Sequence, residues 1–215
     1  MGEITALSPS IRQGYIEVEV DGASIGALLE RQCAERGLAV GMHLDEEGVE
    51  ELRAATHLGE ALALANRFLA HRPRATAEVR ARLRRERFDP AVIDECLGEL
   101  ERQHLLDDRR FASLWVDNRV AFSPRSARSL QQELRAKGIE REVIEETLAG
   151  TGADNNDAEL ALEAGRRRLH AMSRLDEESF RRRMGGFLSR RGFAYEAVSA
   201  AVNQLWAERT GEPDE

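Results

Sequence analysis

Cysteine is scarce in this chain: there are two among 215 residues, Cys33 and Cys96, too few for a disulfide framework. Cys96 falls in an apolar-periodic stretch, where a buried thiol is the ordinary occupant. No apolar run approaches the roughly 20 residues that cross a bilayer. The opening Met-Gly-Glu-Ile-Thr lacks the basic and apolar regions of a signal peptide. A soluble, cytoplasmic protein with no membrane contact is expected. Aromatics make up only 5% of the residues, which leaves little for single-strand binding by base stacking. The five histidines, His43, His57, His71, His104 and His170, have no His-x-x-x-His spacing, and the cysteines no Cys-x-x-Cys, so no metal site is expected. No Gly-x-x-x-x-Gly-Lys loop is present to cradle a nucleotide, and no cofactor is expected. Gly22-Ala23-Ser24-Ile25-Gly26 spells a nucleophile elbow, but that device needs a substantial α/β sheet behind it. Here two or three short strands are foreseen. The segment reads instead as a hairpin turn leading into a helix, and the chain as a non-enzyme.

Lysine is rarer still, with Lys137 alone among 31 basic residues. The net charge of −8 is unevenly spread. Residues 1–60 hold 4 basic and 12 acidic side chains, and residues 61–215 hold 27 of each. The acidity belongs to the N-terminal segment, and the remainder is balanced and rich in arginine, whose planar fork suits carboxylate or phosphate.

What the chain does have is an internal repeat. With Leu134 as origin, apolar residues stand at offsets −4, 0, +5, +9, +10 and +14, as Leu130, Leu134, Ile139, Val143, Ile144 and Leu148. Upstream the same offsets give Val79, Leu83, Phe88, Val92, Ile93 and Leu97; downstream they give Met184, Leu188, Phe193, Ala197, Val198 and Val202. The origins lie 51 and then 54 residues apart. Each window predicts helix, turn, helix. Gly138 and Gly192 occupy the turn at offset +4, where a left-handed residue ends a helix. Arg87 holds that place in the first copy and predicts strain of about 1–2 kcal/mol there, or a turn closed differently. Asp89 and Pro90 supply an N-cap and a first-turn proline for the next helix.

Ahead of the repeats, Ile4–Leu7 and Tyr15–Val20 have β character, Asp21-Gly22 is a hairpin signal, and Ile25 to Cys33 continue with helical spacing. Asp45 heads an acidic helical segment suited to a helix N-terminus. A further helix runs from Leu58 to His71, then Pro73-Arg74 opens the next. Pro124-Arg125 stands at the same place in the middle copy, after a helix lined by Phe111, Leu114, Trp115 and Phe122. Each copy thus has three helices. The expected architecture is mainly α, three tandem three-helix repeats in an elongated array with a small N-terminal α+β appendage. The expected divisions are 1–57, 58–106, 107–150, 151–209 and a disordered tail 210–215, with Gly150–Asn156 as the linker before the third repeat.

Arginines recur on the second helix of each unit. The residues placed on a candidate filament- or DNA-binding edge are Arg74, Arg82 and Arg85; Arg125, Arg128, Arg135 and Lys137; and Arg167, Arg168, Arg182 and Arg190. Singly, each is the ordinary cation of a solvated helix face. Together they form basic faces able to meet phosphates or an acidic protein surface repeatedly.

Several stretches resemble the RecX family, bacterial regulatory proteins of the recombinase RecA. They are Arg-Phe-Leu-Ala-His-Arg-Pro-Arg at 67–74, Ala-Glu-Val-Arg-Ala-Arg-Leu at 77–83 and Phe-Asp-Pro-Ala-Val-Ile at 88–93. Leu-Leu-Asp-Asp-Arg-Arg-Phe-Ala at 105–112 and Gln-Glu-Leu-Arg-Ala-Lys-Gly-Ile at 132–139 continue the likeness, which covers about 60–208. The resemblance implies a monomer lying in the groove of the RecA–DNA filament. There it would inhibit strand exchange, ATP hydrolysis and repressor co-cleavage, with single- or double-stranded DNA as a further partner. Arg87 and Gln103-His104 stand where the family commonly has glycine. The competing reading is a free-standing helical DNA-binding module.

Overall fold

The computed structural model describes residues 1–11, 13–151 and 156–211. Contacts divide the chain into two compact units, Met1–Asp107 and Asp108–Glu215.

In the first unit, β1 (Gly2–Pro9), β2 (Tyr15–Val20), β3 (Ala23–Leu29) and β4 (His43–Leu44) form an antiparallel sheet in the order β3-β2-β1-β4. The β2–β3 turn is the expected Asp21-Gly22, both residues at positive φ (53° and 78°), the combination that matches strand twist in a two-residue hairpin. Asp21 also accepts a hydrogen bond from the Glu3 backbone N–H at 2.9 Å. Ile25–Leu29, expected to be helical, is strand instead, and only Glu30–Glu35 forms a helix, α1. Apolar residues at 25, 28 and 29 satisfy a helical period, but Ile25 and Ala27 are buried in the sheet, and pairing with Tyr15–Val20 wins.

The acidic segment and the Leu58–His71 helix prove to be one 24-residue helix, α2 (Glu46–Leu69), capped by Asp45, whose carboxylate accepts from Gly48 N at 2.8 Å. Its N-terminal half covers the sheet. Thr56 donates to Ile25 O at 2.7 Å, and Gly26 approaches so closely that a Cβ there would lie 2.9 Å from Thr56 Cβ. Its C-terminal half packs Ala61 and Ala65 against α3 (Thr76–Arg85) and α4 (Pro90–Arg102), enclosing Val79, Leu83, Ile93, Cys96, Leu97 and Leu100. One helix therefore serves two adjoining cores.

The second unit contains α5 (Asp108–Phe122), α6 (Ala127–Ala136) and α7 (Arg141–Thr151), then α8 (Asp157–Leu169), a 3-10 turn at His170–Met172, α9 (Glu177–Ser189) and α10 (Tyr195–Thr210). Of the eighteen skeleton positions all are buried except Phe88, Val92 and Ala197, which are partly so. The helices after Pro73 and Pro124 start three residues later than the prolines, at Thr76 and Ala127. Ser126 supplies the cap for α6 by accepting from Ser129 N at 3.2 Å. Gly150 and Thr151 end α7, and the rest of the expected linker to Asn155 lies outside the described residues. Thr210, assigned to the tail by its composition, is the last residue of α10, with Gly211 in the left-handed conformation (φ 73°) behind it; residues 212–215 lie outside the described residues.

All three repeat turns use the same left-handed residue: Gly138 at φ 80°, Gly192 at φ 88° and Arg87 at φ 64°. Phe88 N reaches back to Leu83 O at 3.3 Å as Ile139 N does to Leu134 O at 3.1 Å, the closure that satisfies helix-end carbonyls. Arg87 keeps the turn and accepts the strain. Arg87→Gly should stabilise the first unit by about 1 kcal/mol, the left-handed penalty less the extra unfolded-state freedom of glycine. That corresponds to a rise of roughly 4–8 °C for a unit of this size. Calorimetry of the whole chain checks it, and an unchanged or lowered transition would refute it.

Candidate anion-binding surface

Each repeat's second helix sorts its arginines by whether its own carboxylates reach them. In the first repeat Arg82 pairs with Glu86 at 2.8 Å, four residues on along one face, and Arg80 pairs with Asp94 of α4. Arg74 lies over the Phe68 ring, 3.9 Å from its centroid, with its Nε buried and unbonded. Burial first, and then the charge of Arg72, holds its pKa below the usual arginine range, against the pull of Glu78. Arg85 is exposed and forms no ion pair with a described residue.

In the second repeat the half-buried Glu133 is the organising anion. It accepts from Trp115 Nε1 and Arg119 Nε, both at 2.8 Å. Arg125 Nε stands 2.9 Å away, off the hydrogen-bond direction. Trp115 stacks on Phe111 at 5.8 Å and carries two cations, Arg119 at 4.7 Å and Lys137 at 5.1 Å. Arg125 and Lys137 are thus tied to the repeat itself. Arg128 and Arg135, seven residues apart on α6, point outward and are exposed.

The second and third repeats meet through polar contacts that spacing did not foretell. Arg191 donates to Pro124 O at 2.8 Å and to Ser123 Oγ at 3.2 Å, lies 4.6 Å from the Phe187 centroid, and accepts at its carbonyl from Ser126 N at 3.2 Å. Burial, then the charges of Arg125, Arg119, Arg167 and Arg168, depress its pKa. Those four guanidinium groups therefore lie within electrostatic reach of Arg191. Arg167 also donates to Ala121 O at 2.6 Å and pairs with Glu163 at 2.9 Å. Asp157, its carboxyl pushed up by burial, accepts from Ala127 N at 2.9 Å. Arg191 and Lys137 both stand at offset +3 from their origins, and Arg125 shares offset −9 with Arg74, the traces of this cluster in the repeat pattern.

In the third repeat Arg168, Arg182 and Arg190 are exposed beside Arg183. The structure therefore brings Arg125, Arg167 and Arg168 together, groups Arg168, Arg182 and Arg190 around α8 and α9, and leaves Arg128 and Arg135 on a separate face of α6. Ser24 sits within β3, not on a strand-to-helix turn, and donates to Glu17 at 2.9 Å. Among the described residues no group of three or more His, Cys, Asp or Glu is placed to hold a metal, and no helix is long and apolar enough to cross a membrane.

Three family models match in order: the first, second and third three-helix domains of RecX, over residues 61–100, 107–148 and 155–202. A protein of Amycolatopsis mediterranei named regulatory protein RecX is 36% identical over 146 residues, which span 66% of this chain and 83% of that one. The chain belongs to the RecX family. A second regulatory protein RecX, from Mycobacterium avium, is 35% identical over 153 residues, 70% of this chain and 87% of its own. A crystal structure titled regulatory protein RecX superposes with a TM-score of 0.69 at 20% identity, covering 94% of this chain and all of that one. RecX from Lactobacillus salivarius gives 0.58 at 19% identity, over 69% and 96%. These likenesses show the RecX fold: three three-helix domains preceded by a small stranded region.

Proposed function

We propose that this RecX-family protein regulates the recombinase RecA by binding the RecA–DNA filament as a cytoplasmic monomer. There it inhibits strand exchange, ATP hydrolysis and co-protease activity without chemistry of its own. The observation that carries this reading is the recurrence, in a RecX chain, of outward-facing arginines on the second helix of successive repeats. Arg85, Arg128 and Arg135 are exposed and take no part in the apolar packing, which leaves them available to a partner. Of the other candidates in the first two repeats, Arg74, Arg82, Arg125 and Lys137 make contacts within the repeats that present them.

The test is ATP hydrolysis by preformed RecA–single-stranded DNA filaments. Wild-type protein should suppress it. Arg128→Glu with Arg135→Glu should require at least ten times more protein for the same suppression, because reversed charge at an interface adds repulsion to lost attraction. Stability should change by only about 0.5 kcal/mol per site, the usual effect of an exposed substitution. Filaments that hydrolyse ATP at full rate in excess wild-type protein would overturn the reading. The alternative, a free-standing DNA-binding module, would bind duplex DNA with equal affinity whether or not RecA is present.

A further inference from the structure

Alternate arginines of the third repeat differ in their counter-charges. On α8, Arg166 pairs with Glu208 at 2.5 Å and Arg167 with Glu163 at 2.9 Å, whereas Arg168 has no ion pair with a described residue. On α9, Arg181 pairs with Glu177 at 2.8 Å, whereas Arg183 and, past the helix end, Arg190 have none with described residues. Arg182 has only a loose contact to Glu178 at 3.6 Å, both side chains well exposed. These four weakly compensated side chains, Arg168, Arg182, Arg183 and Arg190, line one cleft of about 410 Å³, together with Met172 and Phe187 and with no carboxylate. The helix floor is bare at Gly186, where a Cβ would come within 3.3 Å of the Arg190 guanidinium.

We propose that this cleft is a binding site for a run of linked phosphate groups. Four cations gathered in a cleft that no carboxylate lines, with Glu178 touching only Arg182 from outside it, repel one another, a standing destabilisation that an anionic ligand removes. The guanidinium fork fits phosphate oxygens in pairs, and the apolar edges of Met172 and Phe187 lower the local dielectric and strengthen each contact. The volume falls within the roughly 300–1,000 Å³ of small-ligand sites. Charge density separates phosphate from an acidic peptide. An extended peptide carries one carboxylate per residue, alternating in direction, so few could enter together, whereas a phosphate chain concentrates its charge along one narrow thread. The ligand is either a free polyphosphate chain, as in a nucleoside triphosphate, or the backbone of a nucleic-acid strand. The inference goes beyond the filament reading and does not rest on it.

Calorimetric titration of the full-length protein at low salt tests it, using inorganic tripolyphosphate, an oligodeoxythymidylate and a hexaglutamate peptide as probes. At least one phosphate probe should bind the wild-type protein, and Arg183→Glu with Arg190→Glu should weaken it at least tenfold. Arg183→Gln with Arg190→Gln should give a smaller loss, and Arg31→Glu, an exposed change in the stranded region, none. Tryptophan fluorescence of Trp206 checks that the variants remain folded. Oligonucleotide binding ten times tighter than tripolyphosphate identifies a strand backbone as the source; equal or weaker binding identifies a free phosphate chain. The proposal is overturned if neither phosphate probe binds, if the double Glu variant binds them undiminished, or if hexaglutamate binds as tightly as they do. No recombinase is present in any arm, so failure here leaves the filament reading standing, and failure of ATPase suppression leaves this one.

Discussion

Leu134→Asp unfolds the Asp108–Glu215 unit. Leu134 is fully buried between α6 and α7, and its carbonyl closes the repeat turn by accepting from Lys137 N at 3.0 Å and Ile139 N at 3.1 Å. Cutting a buried leucine to alanine costs about 2–5 kcal/mol. A carboxylate in this fully buried place must either ionise away from water or take up a proton, and burying such a group without a partner adds several kcal/mol more on the order given by transfer measurements. The total matches or exceeds the stability of an ordinary domain, about 5–15 kcal/mol. Both tryptophans of the chain, Trp115 and Trp206, lie in this unit, so their fluorescence should report an unfolded second unit at 25 °C. Leu134→Met, which conserves volume, should lose less than about 1.5 kcal/mol. A cooperative fluorescence transition at the wild-type midpoint for Leu134→Asp would mean that the shared apolar offsets do not mark a core.

Gly192→Ala should be the most damaging single-methyl addition in the chain. Its backbone sits at φ 88°, so any side chain incurs roughly 1–2 kcal/mol of left-handed strain. The new Cβ would also fall 2.0 Å from Ser129 Oγ and 2.6 Å from Ser126 Oγ. Ser126 cannot retreat, because its hydroxyl caps α6 and its N–H is bonded to Arg191 O at 3.2 Å. Overpacking of this kind adds about 1–3 kcal/mol, for a combined loss near 2–5 kcal/mol. Ser129→Ala removes the nearest clashing atom. In that background the loss should shrink by at least about 1 kcal/mol, the coupling expected of touching residues. Denaturation curves of the four proteins in this cycle check it. Strict additivity would assign the whole effect to backbone strain and deny the close approach.

The repeat was legible because its signals are local. Leu130, Leu134, Ile139, Ile144 and Leu148 are bound by helical period and one turn, and the turn declares itself through Gly138 and Gly192 or, by its awkwardness, through Arg87. Asp21-Gly22 was legible for the same reason. Ile25–Leu29 was misread because its apolar spacing satisfies two periods, and the deciding partner, Tyr15–Val20, acts through backbone pairing that side-chain pattern does not encode. The break foreseen between the acidic segment and Leu58 was unsupported by any helix-stopping residue, and α2 runs through it. On the surface, the sequence located arginines but not their partners. Arg80 finds Asp94 fourteen residues away and Arg191 finds Ser123 sixty-eight away, and such distances are set by tertiary packing alone.

The continuity of α2 also bears on how such chains can be recombined. Leu52 and Thr56 belong to the sheet's side of the helix, and Ala61 and Ala65, little more than one turn further, to the first repeat. A graft that exchanged the stranded region at residue 57 would join two half-helices whose faces were selected against different partners. Each half would have to be right in rotation as well as in sequence, since one inserted residue turns everything downstream by about 100°. The viable junction for a chimaera lies after this helix, in Arg72-Pro73, because one before it would part β4 from β1, and a stranded region transplanted intact must carry the first helix of the first repeat along with it.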